Sequence, residues 1–357
     1  MIQDRAAGVR ALLKRCSLGA LVFYDLANIR YLCGFSGSDG VLAVTAGGDC
    51  FLTDSRYTTQ ARQEVAAAEI RQYRVKCDGL VDWLKEQAVT TVGFEAATLP
   101  YGTVAELREK SPDIEWQPLG EELKPLRALK SGAELAALGA ATRLNRLAFA
   151  EVLPHIGPGR TEREIALELE FALKRLGGEE KAFDFIVASG VRGAMPHGIA
   201  SDKVLRAGEL VTIDFGVRKG GYHSDETVTL ALGAVASRQR EIFDTVLAAH
   251  DRAIEAVMPG VPLRRIDAVA RDHIAERGYG DYFGHGLGHG VGLEVHEYPT
   301  VSPRSDTVAE EGMVFTVEPG VYLPEFGGVR IEDMVEVTAD GCRLLTSLPK
   351  DFRSLPV

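Results

Sequence analysis

The sequence predicts an α/β protein of two domains, a small one first and a larger, internally duplicated one after it. Three observations carry this. At 357 residues the chain exceeds the usual ~100–200 residues of one domain. Short apolar runs bounded by Gly and Asp alternate with stretches that carry helix-capping signals. A Pro-Gly, helix, Gly pattern occurs twice at one spacing: Pro158-Gly159 leads into Ile165 and Gly177, and 101 residues later Pro259-Gly260 leads into Ile266 and Gly278.

Composition narrows the class. Hydrophobic residues make up 46% and charged residues 25%, which allows a full core. The net charge of −11 fits solubility, and no Lys/Arg-dense run offers a nucleic-acid footprint. Met1 to Arg5 show no basic region followed by an apolar stretch, so no secretory signal is expected. No apolar run reaches the ~18 residues of a membrane span. Five cysteines form no C-x-x-C pair, which fits reduced thiols in a cytoplasmic protein.

In chain order, residues 20–24 and 40–45 are apolar strands and residues 55–68 a helix. Residues 116–130 carry Pro118, Gly120 and Pro125 and suit a connection. The expected boundaries are 1–122 for the first domain, 123–130 for the linker and 131–357 for the second domain. Ser131 with Glu134, and Thr161 with Glu164, have the spacing of capping boxes at two helix starts. Glycines at 177 and 178 should stop the second helix.

Two hairpins follow from turn chemistry. Residues 211–215 and 227–231 read as strands joined around Lys219-Gly220-Gly221. A turn centred on Lys219 and Gly220 sets Asp214 opposite Asp225. Residues 314–318 and 329–332 flank a Gly- and Pro-rich loop, and a hairpin there sets Glu318 opposite Glu332. Like charges directly opposite are destabilising; a cation between them removes the penalty. Four carboxylates match two divalent ions about 3.5–4 Å apart, and a water shared by such ions becomes a nucleophile near neutral pH. An oxygen-rich set with one imidazole favours Mn or Co, and admits Fe or Zn. The imidazole comes from the run 284–297, which holds His285, His289 and His296 among glycines. Glycine lets backbone approach a site closely. The run contains neither a phosphate-loop nor an H-E-x-x-H pattern.

Several segments together carry a family resemblance. They are Met195-Pro196-His197-Gly198, Asp214-Phe215-Gly216, His223-Ser224-Asp225, the run 285–297, Glu318-Pro319-Gly320 and Arg330-Ile331-Glu332-Asp333. They resemble the pita-bread metallopeptidases of the Xaa-Pro group, aminopeptidase P and prolidase. Asn28 to Ser38 and Thr53 to Tyr57 resemble the creatinase-type N-terminal domain of the same family. The resemblance covers nearly the whole chain. It implies a pita-bread fold, a pseudo-two-fold duplicated α+β catalytic domain behind a smaller α/β domain.

It also implies roles. Asp225 and Glu332 bridge two metals, Asp214 completes one of them, and His289 with Glu318 completes the other. His197 and His296 bind the substrate and the tetrahedral intermediate. Glu318 carries the proton from a bridging hydroxide to the leaving proline nitrogen. His285 and Arg330 line the substrate pocket, although Arg330 shares a strand face with Glu332 and can equally orient a ligand carboxylate. The implied substrates are proline-containing peptides, and the implied assembly is a homodimer. One departure is visible: the family usually reads Ser-Asp-x-Thr-Arg-Thr, and here Val228 replaces the arginine. Parity puts Val228 on the face opposite Asp225, where the loss of a peripheral ion pair is expected. Methionine aminopeptidase lacks the N-terminal domain, creatinase works without the metal ligands, and a non-catalytic binding module would lose at least one of them. Dipeptidase and aminopeptidase specificity stay open at this point.

Overall fold

The computed structural model describes residues 2–357, and the chain divides into two units, Met1–Arg127 and Ala128–Val357. In the first unit the order is α1 (Ile2–Arg15), β1 (Ala20–Phe23), α2 (Leu26–Cys33), β2 (Val41–Thr45), β3 (Asp49–Thr53), α3 (Thr58–Glu64), β4 (Glu69–Gln72), α4 (Lys76–Glu86), β5 (Thr91–Glu95), α5 (Tyr101–Lys110) and β6 (Glu115–Leu119). The strands form one sheet in the order β4-β3-β2-β1-β5-β6. β1 and β2 are buried at every position, as strands covered on both faces must be. Trp83 and Leu84 of α4 and Leu107 of α5 fill the core against Val22 and Val92.

Two expectations change here. The helix expected over 55–68 is only α3, because Val65 is extended and the Ala66 N–H donates to the Cys33 carbonyl, which turns the chain into β4. Residues 116–119, read as part of a connection, belong to β6. Pro118 is tolerated there because β6 is an edge strand.

The second unit is built twice. Its first half holds α6 (Gly132–Val152), α7 (Glu162–Arg175), β7 (Glu180–Lys181), β8 (Ile186–Ser189), β9 (Leu210–Phe215), β10 (Val217–Lys219), β11 (Tyr222–His223) and β12 (Glu226–Leu232). The second half holds α8 (Ser237–Glu255), α9 (Leu263–Glu276), β13 (Gly288–Gly290), β14 (Glu297–Val301), β15 (Val314–Val317), β16 (Gly320–Leu323), β17 (Gly327–Arg330), β18 (Asp333–Thr338) and β19 (Gly341–Leu344), followed by β20 (Ser354–Leu355). α7 and α9 have the same length and keep the spacing read from the sequence. Gly159, Gly260, Gly177 and Gly278 all have left-handed φ, at 92°, 85°, 96° and 82°, which explains why glycine recurs at these points. Each half has its own core, one around Ile165, Leu169, Ile213 and Leu230, the other around Phe243, Ile266, Phe315 and Val335.

Thr161 and Glu164 form a reciprocal capping box at the start of α7. At Ser131 the hydroxyl and the backbone N–H both donate to Glu134. Val228, expected on the face opposite Asp225, is buried in the first-half core.

Candidate metal and active site

The two larger sheets of the second unit are β20-β12-β9-β8 and β14-β13-β15-β18-β19, beside the smaller β11-β10-β7 and β16-β17. β12 meets the segment from β17 to β18 along a seam where the Glu332 N–H donates to the Thr227 carbonyl at 3.2 Å and the Thr229 hydroxyl donates to the Arg330 carbonyl at 2.8 Å. The two acidic hairpins therefore face one another.

The first hairpin corrects the expected register. Its turn is centred on Gly220 and Gly221, with φ of 60° and 81°, the two positive values a tight type I′-like turn requires. Lys219 cannot supply one of these cheaply, so the ladder moves and Asp214 faces Thr227, not Asp225. The move retains parity, so Asp214 and Asp225 share a face as diagonal neighbours. Gly216 lies opposite this point, where any Cβ would run into the Ser224 carbonyl. In the second hairpin β15 pairs with β18 and β16 with β17 in one continuous register. Extended across the break between them, that register sets Glu318 against Glu332.

All nine site candidates line one cavity of about 420 Å³: His197, Asp214, Asp225, His285, His289, His296, Glu318, Arg330 and Glu332. Asp225, His289 and Glu332 converge most tightly, with ligand atoms within 4.8 Å of one another. His289 Nε2 lies 3.3 Å from Glu318 Oε1 and 3.6 Å from Asp225 Oδ2. Its Nδ1 is 3.1 Å from the Gly290 carbonyl. That contact places the proton on Nδ1 and leaves the Nε2 lone pair turned toward the carboxylates.

The electrostatics describe a site built for cations. Burial, then the charges of Glu332, Asp214 and Glu318, push the Asp225 carboxyl well above its ordinary range. Burial and the Glu318 and Asp214 charges do the same to Glu332, and burial raises Glu318. Burial also lowers His289, His285 and His296, which favours neutral imidazoles. Asp214 Oδ1 is buried without a hydrogen-bond partner, an expensive state for a carboxylate oxygen unless an ion completes it. Oxygen donors, one free imidazole nitrogen and an orphaned carboxylate oxygen fit divalent cations.

The surroundings hold these groups still. Thr227 donates to Glu332 Oε2 at 2.6 Å and Thr316 to Glu318 Oε1 at 3.1 Å. Arg330 donates to Asp214 Oδ2 at 2.7 Å, to the Tyr322 hydroxyl at 2.9 Å, to the Pro196 carbonyl at 3.1 Å and to Thr227 Oγ1 at 3.3 Å. His285 Nε2 is 2.9 Å from the same Tyr322 hydroxyl. Tyr322, Thr227 and Thr316 were not singled out from the sequence. Strand alternation from Glu318 through Gly320 points to Tyr322; Thr227 falls on the first threonine of the Ser-Asp-x-Thr-Arg-Thr pattern, but nothing local ties its hydroxyl, or that of Thr316, to a carboxylate. The loop that carries His285 is fixed by α9: Arg271 donates to the Phe283 and His285 carbonyls, and Asp267 accepts from the Leu287 N–H.

Comparison with known proteins agrees with this geometry. Residues 136–339 match metallopeptidase family M24, and residues 5–129 match the creatinase/prolidase N-terminal domain. An Xaa-Pro dipeptidase of Pyrococcus furiosus is 41% identical over 328 residues, covering 91% of this chain and 92% of that protein. Among solved structures, an Xaa-Pro dipeptidase from Bacillus anthracis is similar at a TM-score of 0.97 and 39% identity, over 99% of this chain and 100% of that one. An X-Pro aminopeptidase from Thermotoga maritima is similar at a TM-score of 0.90 and 36% identity, over 98% and 99%. A duplicated α/β unit carrying an acidic, imidazole-bearing cavity, preceded by a creatinase-type domain, thus places the chain in metallopeptidase family M24.

Proposed function

We propose that this chain hydrolyses the Xaa-Pro peptide bond with two divalent metal ions. The observation that carries this is the convergence of Asp214, Asp225, His289, Glu318 and Glu332 on one cavity, with Asp214 Oδ1 left unpartnered. Asp225 and Glu332 would be shared by both ions; Asp214 would complete one, and His289 with Glu318 the other. When bound, the ions supply an activated water and positive charge at the carbonyl oxygen. Mn²⁺ or Co²⁺ suits the oxygen-rich set best.

The protein's own groups do the rest. Water adds to the carbonyl carbon, the C–N bond breaks, and a proton must reach the proline nitrogen. Glu318, raised by burial and held by Thr316, would carry that proton. His197 and His296 project into the cavity and hydrogen-bond the substrate carbonyl as it becomes an oxyanion, the most valuable point for a preorganised donor. Phe183, Ile186, Pro196 and Ile199 give the cavity an apolar wall suited to a proline ring, which brings no N–H to satisfy. His285 lines the substrate side. Arg330 is committed to Asp214, Tyr322 and Thr227 and acts by orienting Asp214 rather than by gripping substrate.

The relatives carry both dipeptidase and aminopeptidase names, so chain length of the substrate is a question for experiment. The five cysteines are unpaired, as suits a reducing, cytoplasmic setting, and no described helix is long and apolar enough to cross a membrane. A homodimer is the proposed assembly, to be checked by sedimentation. The test of function loads the protein with Mn²⁺ or Co²⁺ and offers an Xaa-Pro dipeptide, an Xaa-Pro-Yaa tripeptide and their alanine counterparts. Proline-dependent turnover is expected, and Asp225→Asn should abolish it together with two-ion binding while leaving the fold. No turnover of either proline peptide by protein carrying two ions would reject the reading. Tripeptide cleavage without dipeptide cleavage would exclude the dipeptidase form.

A further inference from the structure

Asp225 and Glu332 are each followed by a second acid, Glu226 and Asp333. Successive residues along extended chain point to opposite faces. Asp225 and Glu332 line the cavity, whereas Glu226 and Asp333 are buried behind it. There a single ammonium group meets both. Lys350 Nζ lies 2.9 Å from Glu226 Oε1 and 3.2 Å from Asp333 Oδ1. The Lys350 side chain is itself only 8% exposed.

Lys350 lies beyond the residues that match the M24 family. The segment that brings it is fastened at several points. Thr346 donates to Asp333 Oδ1 at 2.6 Å, the Leu348 N–H donates to Glu226 Oε1 at 2.9 Å, and β20 runs parallel to the end of β12. His250 of α8 closes the far side, with Nε2 3.1 Å from Asp333 Oδ2. Glu226 Oε2 is buried with no hydrogen-bond partner, so this carboxylate depends on Lys350 and the Leu348 N–H.

We propose that Lys350 is a positioning residue: from behind, it ties the segment carrying Asp225 to the segment carrying Glu332 and so sets the spacing of those two carboxylates. This rests on the two-ion reading above. The seam carries an acidic pair on each face. The front pair waits for metal ions, and the back pair has a cation built into the chain. Without Lys350, Asp333 keeps only Thr346 and His250 and Glu226 only the Leu348 N–H, so the two buried acids on adjacent segments lose the cation they share. Their repulsion then acts on the same backbone that must bring Asp225 and Glu332 together.

The test uses the full chain, stripped with a chelator and titrated with Mn²⁺ in equilibrium dialysis and by electron paramagnetic resonance. Lys350→Met removes the charge and leaves an apolar stem. It should weaken Mn²⁺ binding by ~10–100-fold, the usual range for groups that orient metal ligands. It should also lose the exchange-coupled signal of a paired site. Glu226→Gln/Lys350→Met restores charge balance without restoring the tie. That double variant should regain the metal-free melting temperature of wild type but not its Mn²⁺ affinity. Wild-type affinity and spectrum in Lys350→Met would overturn the proposal. So would full recovery in the double variant, since Lys350 would then only neutralise charge. If Lys350→Met does not fold, the double variant decides alone. A wild-type protein that binds fewer than two Mn²⁺ ions brings down the two-ion reading and the tie together; two ions in wild type with unchanged variants bring down the tie only.

Discussion

Asp225 and Glu332 are 5% and 1% exposed and sit among other acids, a state that water-filled surfaces never impose. Each of the raised carboxyls, Asp225, Glu318 and Glu332, binds its proton more tightly in the folded than in the unfolded chain. By linkage, the stability they contribute is present below the ordinary carboxylate range and lost as pH rises through the raised values. Metal-free protein should therefore melt at progressively lower temperature from about pH 4 upward. Glu332→Gln removes one buried charge, so its metal-free melting temperature should fall less over the same window. Parallel curves for wild type and variant, recorded by calorimetry in chelator, would refute this account. The same residues show what local sequence cannot carry. Acids and histidines were identifiable by type and spacing, whereas Thr227, Thr316 and Tyr322 are ordinary strand residues until folding sets their hydroxyls beside Glu332, Glu318 and His285.

At the scale of elements, close approach of backbone to backbone sets the site. A Cβ on Gly288 would run into the Thr316 carbonyl, because β13 must lie against β15 to present His289. Gly288→Ala should cost roughly 1–3 kcal/mol or more, as overpacking does, and should lower bound metal in proportion. Denaturant unfolding together with metal analysis would check it, and wild-type values in both would contradict the close-approach argument. The hairpins show how far periodicity reaches. Parity placed Asp214 and Asp225 on one face correctly, because a side-chain period of two survives a turn placed one residue off. The exact partner depended on which two residues adopt positive φ, and Gly220-Gly221 outcompeted Lys219-Gly220 for steric reasons. The connection expected over 116–130 failed at Pro118 for a related reason: whether a strand lies at a sheet edge is a property of the assembled sheet.

For the whole molecule, the seam between the two halves of the second unit is also where the ions would bind. An ion that binds the native seam and not the unfolded chain stabilises by mass action, by about 2.7 kcal/mol at a hundredfold excess over its dissociation constant. Chelation should thus lower the melting temperature, and Mn²⁺ should restore it, in wild type but not in Asp225→Asn. An equal response in the two proteins would place the ion elsewhere.

The sequence by itself determined the α/β class, the duplication, the five candidate ligands and the histidines around them, because each is written in residue type, spacing or the glycines that permit left-handed turns. The tertiary structure decided the hairpin register, the commitment of Arg330 to Asp214, and the meeting of Lys350 with Glu226 and Asp333. The register turned on which two residues take positive φ, and the other two join segments more than 100 residues apart, Arg330 with Asp214 and Lys350 with Glu226. Only the packed core brings such segments within hydrogen-bonding distance.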